Sequence, residues 1–377
     1  MRKVTLFLLL LIYSTIYSQN LRTLDKDIVD ENNNEIILRS AGLGGWMLQE
    51  PYMFNYSSGA NTQHEFKEKL NNLVGSENTE LFFESWLDNF VTEQDVDSIA
   101  SWGFNSIRLP MHYDLFTLSI QEEPVEGENT WLDRGFEIVD QLLDWCEQNE
   151  LYLILDLHAA PGGQGYDAAI SDYNSNYPSL WESVENQNKT IALWEQLAIR
   201  YKDEPWIGGY DLLNETNWDL ANFELRSFYV QVTNAIREHD SNHIIFIEGN
   251  WFANDFTGLI PPWDDNMAYS FHKYWSYNNT ESIQWVLDIR NQYNTPLWMG
   301  ESGENSNLWF TDAIRLFEDN EIGWAWWPWK KTESINSTLS ISSNSNFQSI
   351  INYFADGQNQ PSIENAMQGL MQFSTDS

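Results

Sequence analysis

The sequence predicts a single (β/α)8 (TIM) barrel with an N-terminal β-hairpin cap and long loops after its strands. From about residue 36 onward, short apolar or β-branched runs alternate with amphipathic segments of helical period. This order is typical of a parallel sheet with helices outside it, and eight such runs indicate closure into a barrel. The alternative, a doubly wound open sheet, is disfavoured because no G-x-G-x-x-G follows an early strand.

The apolar runs place the predicted elements in chain order. Strands are expected at residues 37–42, 106–109, 151–157, 207–213, 244–248, 267–271, 297–300 and 321–326. Helices are expected at residues 93–102, 136–149, 189–201, 223–238, 282–292 and 307–320. No helix is visible between the fifth and sixth strands.

Two polar segments flank the predicted barrel. Residues 30–34, Asp-Glu-Asn-Asn-Asn, separate two short β-like runs, so we expect a hairpin that caps the bottom of the barrel. Residues 334–349 are rich in Ser and Asn and should form a long loop before the last helix. No stretch has the composition of a linker, so residues 19–377 are expected to form one domain.

The first residues have the layout of an export signal. Arg2 and Lys3 precede an apolar run from Val4 to Tyr13, and small or polar residues follow. The alternative is a membrane anchor, but this run is shorter than the roughly 20 residues that a bilayer span requires. We therefore expect residues 1–18 to be removed and the protein to be secreted, extracellular or periplasmic, without membrane insertion afterwards.

Composition narrows the class of ligand. The formal net charge of -37 repels phosphate backbones and anionic lipids, so nucleic acid is not an expected partner. The single Cys146 lies in a helical pattern and has no disulfide partner, so it is interpreted as a buried residue. The chain holds 19 Trp, and Trp in loops suits a sugar-binding cleft because sugar C–H faces stack on indole rings.

Polar and aromatic residues follow six of the predicted strands. In barrel enzymes the chemistry lies at the C-terminal ends of the strands, so these residues should meet at one rim. They are Arg108, His158, Asn214, Glu215, His272, Tyr274, Glu301 and Trp327.

Glu215 and Glu301 can supply the pair of carboxyl groups that cleaves a glycosidic bond. One carboxyl group protonates the leaving oxygen while the other meets the developing positive charge on the sugar. The second group must stay ionised, and Arg108 is the natural cation beside it. In a pair that retains configuration, the carboxyl groups should lie about 5–5.5 Å apart.

The motifs around these residues resemble glycoside hydrolase family 5. They are GFNSIRLP at 103–110, LILDLHAAPGG at 153–163, YDLLNE at 210–215, FHKY at 271–274, PLWMGE at 296–301 and GWAWWPWKK at 323–331. The resemblance implies a retaining glycosidase with Glu215 as acid/base and Glu301 as nucleophile. It further implies that the remaining rim residues bind substrate, namely Arg108, His158, Asn214, His272, Tyr274 and Trp327.

A narrower similarity is to the exo-β-1,3-glucanases of that family. It is carried by GLGGWMLQEP at 42–51, by residues 91–110 and by DLHAAPGGQGYD at 156–167. It implies that Glu50 and Asp167 hold the terminal sugar of a β-linked polysaccharide or oligosaccharide. The sequence departs from these enzymes at Ala168 and at residues 302–304, which leaves an endo-β-1,4-glucanase or a mannan-active enzyme as alternatives.

Two other classes of function remain as alternatives. Asp156, His158, His272 and Glu301 could together hold a catalytic metal, but no His-x-His pair is present. A carbohydrate-binding barrel without catalysis is the other alternative, and a turnover assay separates it from an enzyme. We expect a monomer that requires no metal or cofactor.

Overall fold

The computed structural model describes residues 20–377, so the predicted export signal at residues 1–18 lies outside the described part of the chain. The strands are β1 (Arg22–Leu24), β2 (Asp27–Val29), β3 (Arg39–Gly42), β4 (Ser106–His112), β5 (Tyr152–Ala159), β6 (Ile207–Asp211), β7 (Ile245–Glu248), β8 (Met267–His272), β9 (Leu297–Gly303), β10 (Gly323–Trp327), β11 (Lys330–Thr332) and β12 (Leu339–Ile341). Strands β3 to β10 form a closed parallel barrel in which β10 pairs with both β9 and β3. The predicted (β/α)8 barrel is confirmed, and each predicted run overlaps one barrel strand.

Helices surround the barrel. They are α1 (Gln63–Val74), α2 (Ser76–Asn89), α3 (Glu93–Ser101), α4 (Asp133–Gln148), α5 (Ala168–Ser171), α6 (Val184–Tyr201), α7 (Asn222–Arg237), α8 (Asn250–Ala253), α9 (Thr280–Tyr293), α10 (Asn307–Glu318), α11 (Ser345–Asp356) and α12 (Ile363–Thr375). The six predicted helices correspond to α3, α4, α6, α7, α9 and α10. Between β7 and β8 the chain forms only the short turn α8, in agreement with the missing helical pattern there.

Helix α4 shows why these segments are helical. Ile138, Leu142 and Cys146 recur at four-residue spacing and are all buried, so one face of the helix packs against the barrel. Cys146 is therefore the buried residue that the sequence predicts. Within residues 20–377, no helix is both long and apolar enough to cross a bilayer.

The C-terminal region differs from the prediction. Residues 334–349 contain β12 and the start of α11, and two helices follow instead of one. The Asn344 side chain accepts a hydrogen bond from the Phe347 N–H (2.8 Å) and so caps α11. Phe347 stacks on Phe373 of α12 with ring centres 4.0 Å apart. The prediction of one long loop is wrong because Asn in this segment starts a helix.

The N-terminal hairpin cap is present. Strands β1 and β2 pair antiparallel, and a bridge joins Val29 to Glu35 around the polar turn at residues 30–34. The Thr23 N–H donates to the side chain of Asn266 (2.8 Å), which directly precedes β8. The hairpin is thus tied to the N-terminal ends of the barrel strands, and the opposite rim stays free for a site.

Candidate active site

The C-terminal ends of the barrel strands surround a cavity of about 660 Å³. Most of the residues singled out from the sequence line it, namely Glu50, His158, Asp167, Glu215, His272, Tyr274, Glu301 and Trp327. Arg108 and Asn214 are fully buried and reach the site through hydrogen bonds instead. The C-terminal ends of the barrel strands therefore bring the predicted residues to one site.

Glu301 is held by two donors. Arg108 Nη1 donates to one carboxylate oxygen (2.9 Å), and the Tyr274 hydroxyl donates to the other (2.6 Å). Burial and the nearby Glu301 carboxylate raise the pKa of Tyr274 well above its usual value, so this hydroxyl remains a donor. These two hydrogen bonds offset the negative charge of the carboxylate and fix its orientation.

Glu215 has different partners. Its side chain lies 2.7 Å from His272 Nδ1, and its backbone N–H donates to Glu248 (2.7 Å). Burial opposes a charge on His272, but the Glu248 and Glu301 carboxylates raise its pKa well above the usual value. A carboxylate oxygen of Glu215, one of Glu301 and a ring nitrogen of His272 all lie within 4.8 Å of one another. The two carboxyl groups therefore share one small space yet have unlike surroundings.

Arg108 is the centre of a buried charge network. Its guanidinium lies 2.9–3.2 Å from four carboxylates, those of Asp156, Asp211, Glu248 and Glu301. Burial and the neighbouring Glu248 raise the pKa of Asp211 well above its usual value, which favours its neutral form. Removing one member of such a buried network leaves uncompensated charges.

His158 joins this network to the cavity. Its Nδ1 contacts Asp156 (2.7 Å) and its Nε2 lies 3.4 Å from Glu50, while the Trp327 ring stacks on the imidazole with centres 5.2 Å apart. Burial opposes a charge on His158, but Asp156 raises its pKa to about 10. Burial also raises the pKa of Glu50 to about 7. Glu50 is therefore a buried acid beside a cationic imidazole.

Asp167 lies at the rim and is more exposed. Its side chain accepts a hydrogen bond from the Ala169 N–H (3.2 Å) and caps the short helix α5. Its loop is anchored by Gln164, whose amide donates to the His158 and Asn214 carbonyls (2.7 and 2.9 Å). The structure thus brings Asp167 to the cavity with one oxygen partly occupied.

Several residues of the cavity and of the buried network around Arg108 were missed from the sequence. Asp211 and Glu248 are the last residues of β6 and β7, so the strand-end rule could have found them. Tyr52 accepts a hydrogen bond from Trp327 Nε1 (3.0 Å), and Lys331 lies above the Tyr52 ring. Glu304 pairs with Lys331 (2.6 Å). Phe252 and Trp275 also line the cavity.

Buried acidic groups near the cavity raise the question of a metal site. The set considered from the sequence, Asp156, His158, His272 and Glu301, does not form one cluster among residues 20–377. Asp156, Asp211 and Glu248 do lie close together, but the Arg108 guanidinium stands among them. A cation would have to displace that charge, so this network does not fit a metal.

Known proteins resemble this chain over most of its length. The sequence profile described as Cellulase (glycosyl hydrolase family 5) matches residues 60–333. The chain is 39% identical over 249 residues to "Beta-xylosidase" of Phanerodontia chrysosporium, with 66% of this chain and 50% of that protein covered. It is 27% identical over 322 residues to "Endoglucanase C" of Acetivibrio thermocellus, with 67% and 88% covered.

The fold has counterparts among solved structures. Rutinosidase from Aspergillus niger superimposes with a TM-score of 0.62 at 16% identity, over 79% of this chain and 91% of that one. At this identity the likeness concerns the fold alone. The chain spans about half the length of the β-xylosidase, whereas the family profile covers well over half of the chain. By this match and the shared barrel, the protein belongs to glycosyl hydrolase family 5, a family of retaining glycosidases.

Proposed function

We propose that the protein is an exo-acting β-glycosidase that releases single sugars from the non-reducing ends of β-glucan, with β-1,3-linked glucan preferred. Glu301 is the nucleophile and Glu215 is the acid/base. The observation that carries this proposal is the unlike environment of two carboxyl groups within 4.8 Å in one cavity. That closeness favours retention, because an inverting pair needs roughly 6.5–9.5 Å to admit a water molecule.

In the first step, a Glu301 oxygen bonds to the anomeric carbon as the glycosidic C–O bond breaks. The leaving oxygen takes its proton from Glu215 and departs as an alcohol. The 2.7 Å contact with His272 Nδ1 orients the Glu215 carboxyl group. Arg108 and Tyr274 hydrogen-bond to the two oxygens of Glu301 and fix its orientation for attack.

In the second step, a water oxygen bonds to the anomeric carbon and the ester bond to Glu301 breaks. Glu215, now a carboxylate, takes the proton from that water, and both glutamates return to their starting states. Two displacements at one carbon give net retention of configuration.

Exo action is supported by the closed end of the cavity, which we define as Glu50, Tyr52, Glu304 and Trp327. Glu50 and Trp327 can hold one sugar through hydrogen bonds and stacking. At this end, Glu304 forms an ion pair with Lys331 (2.6 Å), and this pair limits the space for further sugars. The preference for β-1,3 linkage depends on the motifs around Glu50 and Asp167.

A second candidate for the released sugar is β-xylose. It is favoured by the 39% identity to a protein named a β-xylosidase. Incubation with laminarin, carboxymethyl-cellulose, mannan, an aryl β-glucoside and an aryl β-xyloside, with sizing of the products, separates the candidates. Glucose as the first product from laminarin supports the proposal, whereas a ladder of oligosaccharides contradicts exo action.

The nucleophile is tested by Glu301→Gly, which should abolish hydrolysis while the protein stays folded. Azide should restore part of the activity and yield the α-glycosyl azide, because the small anion enters the space of the carboxylate. Glu215→Gly is the matched variant and should yield the β-glycosyl azide instead. Formation of the β-azide by Glu301→Gly would remove the nucleophile role from Glu301.

We further propose that the protein acts outside the cytoplasm as a monomer after loss of residues 1–18. The arrangement of Arg2, Lys3 and the following apolar run supports export. Sequencing the N-terminus of the protein recovered outside the cell tests this, with a start near residue 19 expected.

A further inference from the structure

A second cavity lies behind one wall of the candidate active site. We call residues 165–172 the wall segment, because its Asp167 and Ile170 line the first cavity while its Asp172 lines the second, of about 540 Å³. Residues 166–170 are exposed or half-buried. The place of this segment therefore depends on hydrogen bonds at its two ends more than on packing. At the first end, the Asp167 N–H donates to the side chain of Asn217 (3.3 Å).

The other end of the wall segment is held by two histidines. One carboxylate oxygen of Asp172 accepts from the His64 backbone N–H (3.0 Å) and also lies 3.0 Å from His64 Nδ1. The other oxygen lies 3.0 Å from His112 Nε2. His64 is in the first turn of α1 and His112 is the last residue of β4. Asp172 thus ties the wall segment both to an outer helix and to the barrel.

The charges of these groups strengthen the contact. Burial opposes a charge on Asp172, but the hydrogen bonds with His112 and His64 lower its pKa to about 2. Burial likewise opposes a charge on His112, but Asp114 and Asp172 raise its pKa to about 9. The Asp114 carboxylate lies 2.8 Å from His112 Nδ1, on the side away from Asp172. Near neutral pH, Asp172 and His112 therefore form a buried ion pair.

A displacement at Asp172 would pass directly to Asp167. Asp172 has a left-handed backbone (φ 49°) and ends the short helix α5. The Ser171 hydroxyl lies 3.0 Å from the carbonyl oxygens of both Gly165 and Asp167, and so closes the wall segment into one compact turn. Because the turn is short and internally bonded, its two ends are mechanically linked.

We infer that Asp172 is a positioning residue for substrate binding: held by His64 and His112, it fixes the wall segment and so places the Asp167 carboxylate against the bound sugar. This inference rests on the proposed function, because it needs Asp167 to hold the terminal sugar. Asp172 lines only the second cavity, so it acts through the wall segment and not by touching the sugar. A carboxylate that is fixed beforehand loses little freedom when substrate binds.

A double-mutant cycle with Asp167 tests this inference. Asp172→Asn removes the negative charge but keeps a residue type that tolerates left-handed backbone. On the better of an aryl β-glucoside and an aryl β-xyloside, it should lower kcat/KM about 3- to 10-fold. In an Asp167→Ala background the same change should have no further effect, because the carboxylate that it positions is gone. A residue that only stabilises the fold would lower kcat/KM equally in both backgrounds.

His64→Ala gives a second, milder variant and removes one side of the contact. It should show the same pattern with a smaller loss, and it carries the test if Asp172→Asn does not fold. His239→Ala is the matched control. The His239 side chain is also 31% exposed and also pairs with a carboxylate, that of Glu195 (3.1 Å), but it lines neither cavity. Its kcat/KM should equal that of the wild type.

Three results would overturn the inference alone. They are an unchanged kcat/KM in both Asp172→Asn and His64→Ala, an equal loss from Asp172→Asn in the Asp167→Ala background, and an Asp167→Ala variant as active as the wild type. In each case the glycosidase function stands. If the wild-type protein hydrolyses neither aryl glycoside, the proposed function fails and this inference fails with it.

Discussion

The two ends of the cavity use opposite means to bind. The closed end is buried and charged, with Glu50 only 4% exposed and paired with His158. At the other end, which we call the aromatic end, Phe252 and Trp275 line the cavity with 38% and 70% of their surface exposed, and both have left-handed backbone. Buried charges fix the position of a polar group strictly, whereas exposed rings can stack on any flat apolar face. One site can therefore combine a strict region with a permissive one.

Arg108→Met should have the largest effect on stability, because it removes the only guanidinium in the network beneath the closed end. Four carboxylates then lose their cation, and the free energy of unfolding should fall by about 3–5 kcal/mol. Denaturant unfolding measures this loss. Arg134→Met is the control, since Arg134 pairs only with the exposed Glu84 and Asp88 and should cost about 1 kcal/mol or less. Equal losses in Arg108→Met and Arg134→Met would mean that the buried network adds no more to the free energy of unfolding than an exposed ion pair does.

Glu50→Gln gives a pH-dependent effect of intermediate size. Burial raises the pKa of Glu50 from 4.5 to about 7, so between these values the folded protein binds a proton that the unfolded chain has lost. Wild-type stability should therefore fall, relative to the variant, as pH rises from about 4.5 to 7, by on the order of 3 kcal/mol.

Denaturant unfolding of both proteins across this range measures the difference. Glu128→Gln, at an exposed glutamate, should run parallel to the wild type. A constant difference between wild type and Glu50→Gln would show that Glu50 stays ionised in the folded protein.

Lys331→Met should give the smallest change in stability, but it should alter the products of hydrolysis. The ion pair with Glu304 is partly exposed, so its loss should cost about 1 kcal/mol or less. Removing it loosens the closed end, so the share of products longer than one sugar should rise in digests of laminarin. Lys202→Met, at a site away from the cavity, should leave the product pattern unchanged. An unaltered pattern in Lys331→Met would mean that this ion pair does not limit the sugar site.

The barrel could be predicted because each strand and helix is indicated by residues that lie close together in the sequence. Each strand is a short apolar run, and parallel strands place their C-terminal ends at one rim, so Arg108, Glu215 and Glu301 could be grouped without coordinates. The pairing of Arg108 with Glu301 could be expected from their charges. The contact of Glu215 with His272 and the other carboxylates around Arg108 could not be predicted, because they join residues far apart in the chain. Glu50 and Asp167 were reached only through motif resemblance.

The left-handed backbone at Phe252 and Trp275 could not be predicted from the sequence. Left-handed backbone is expected at Gly or Asn, and neither residue type stands at these positions. The turn exists because Asn250 bonds to Trp218 on another loop, which is a tertiary contact. The C-terminal helices were misjudged for a related reason, since Asn344 can serve either a loop or a helix cap.

The network around Arg108 also constrains which substitutions the protein can accept during evolution. A substitution at Asp156, Asp211 or Glu248 alters the charge balance felt by all the others, so their effects are not additive. Such positions are epistatic, and a change at one is tolerated only when a second change restores the balance. The rings of the aromatic end share no such dependence. Divergence of this site should therefore proceed one residue at a time at the aromatic end, and in correlated sets around Arg108.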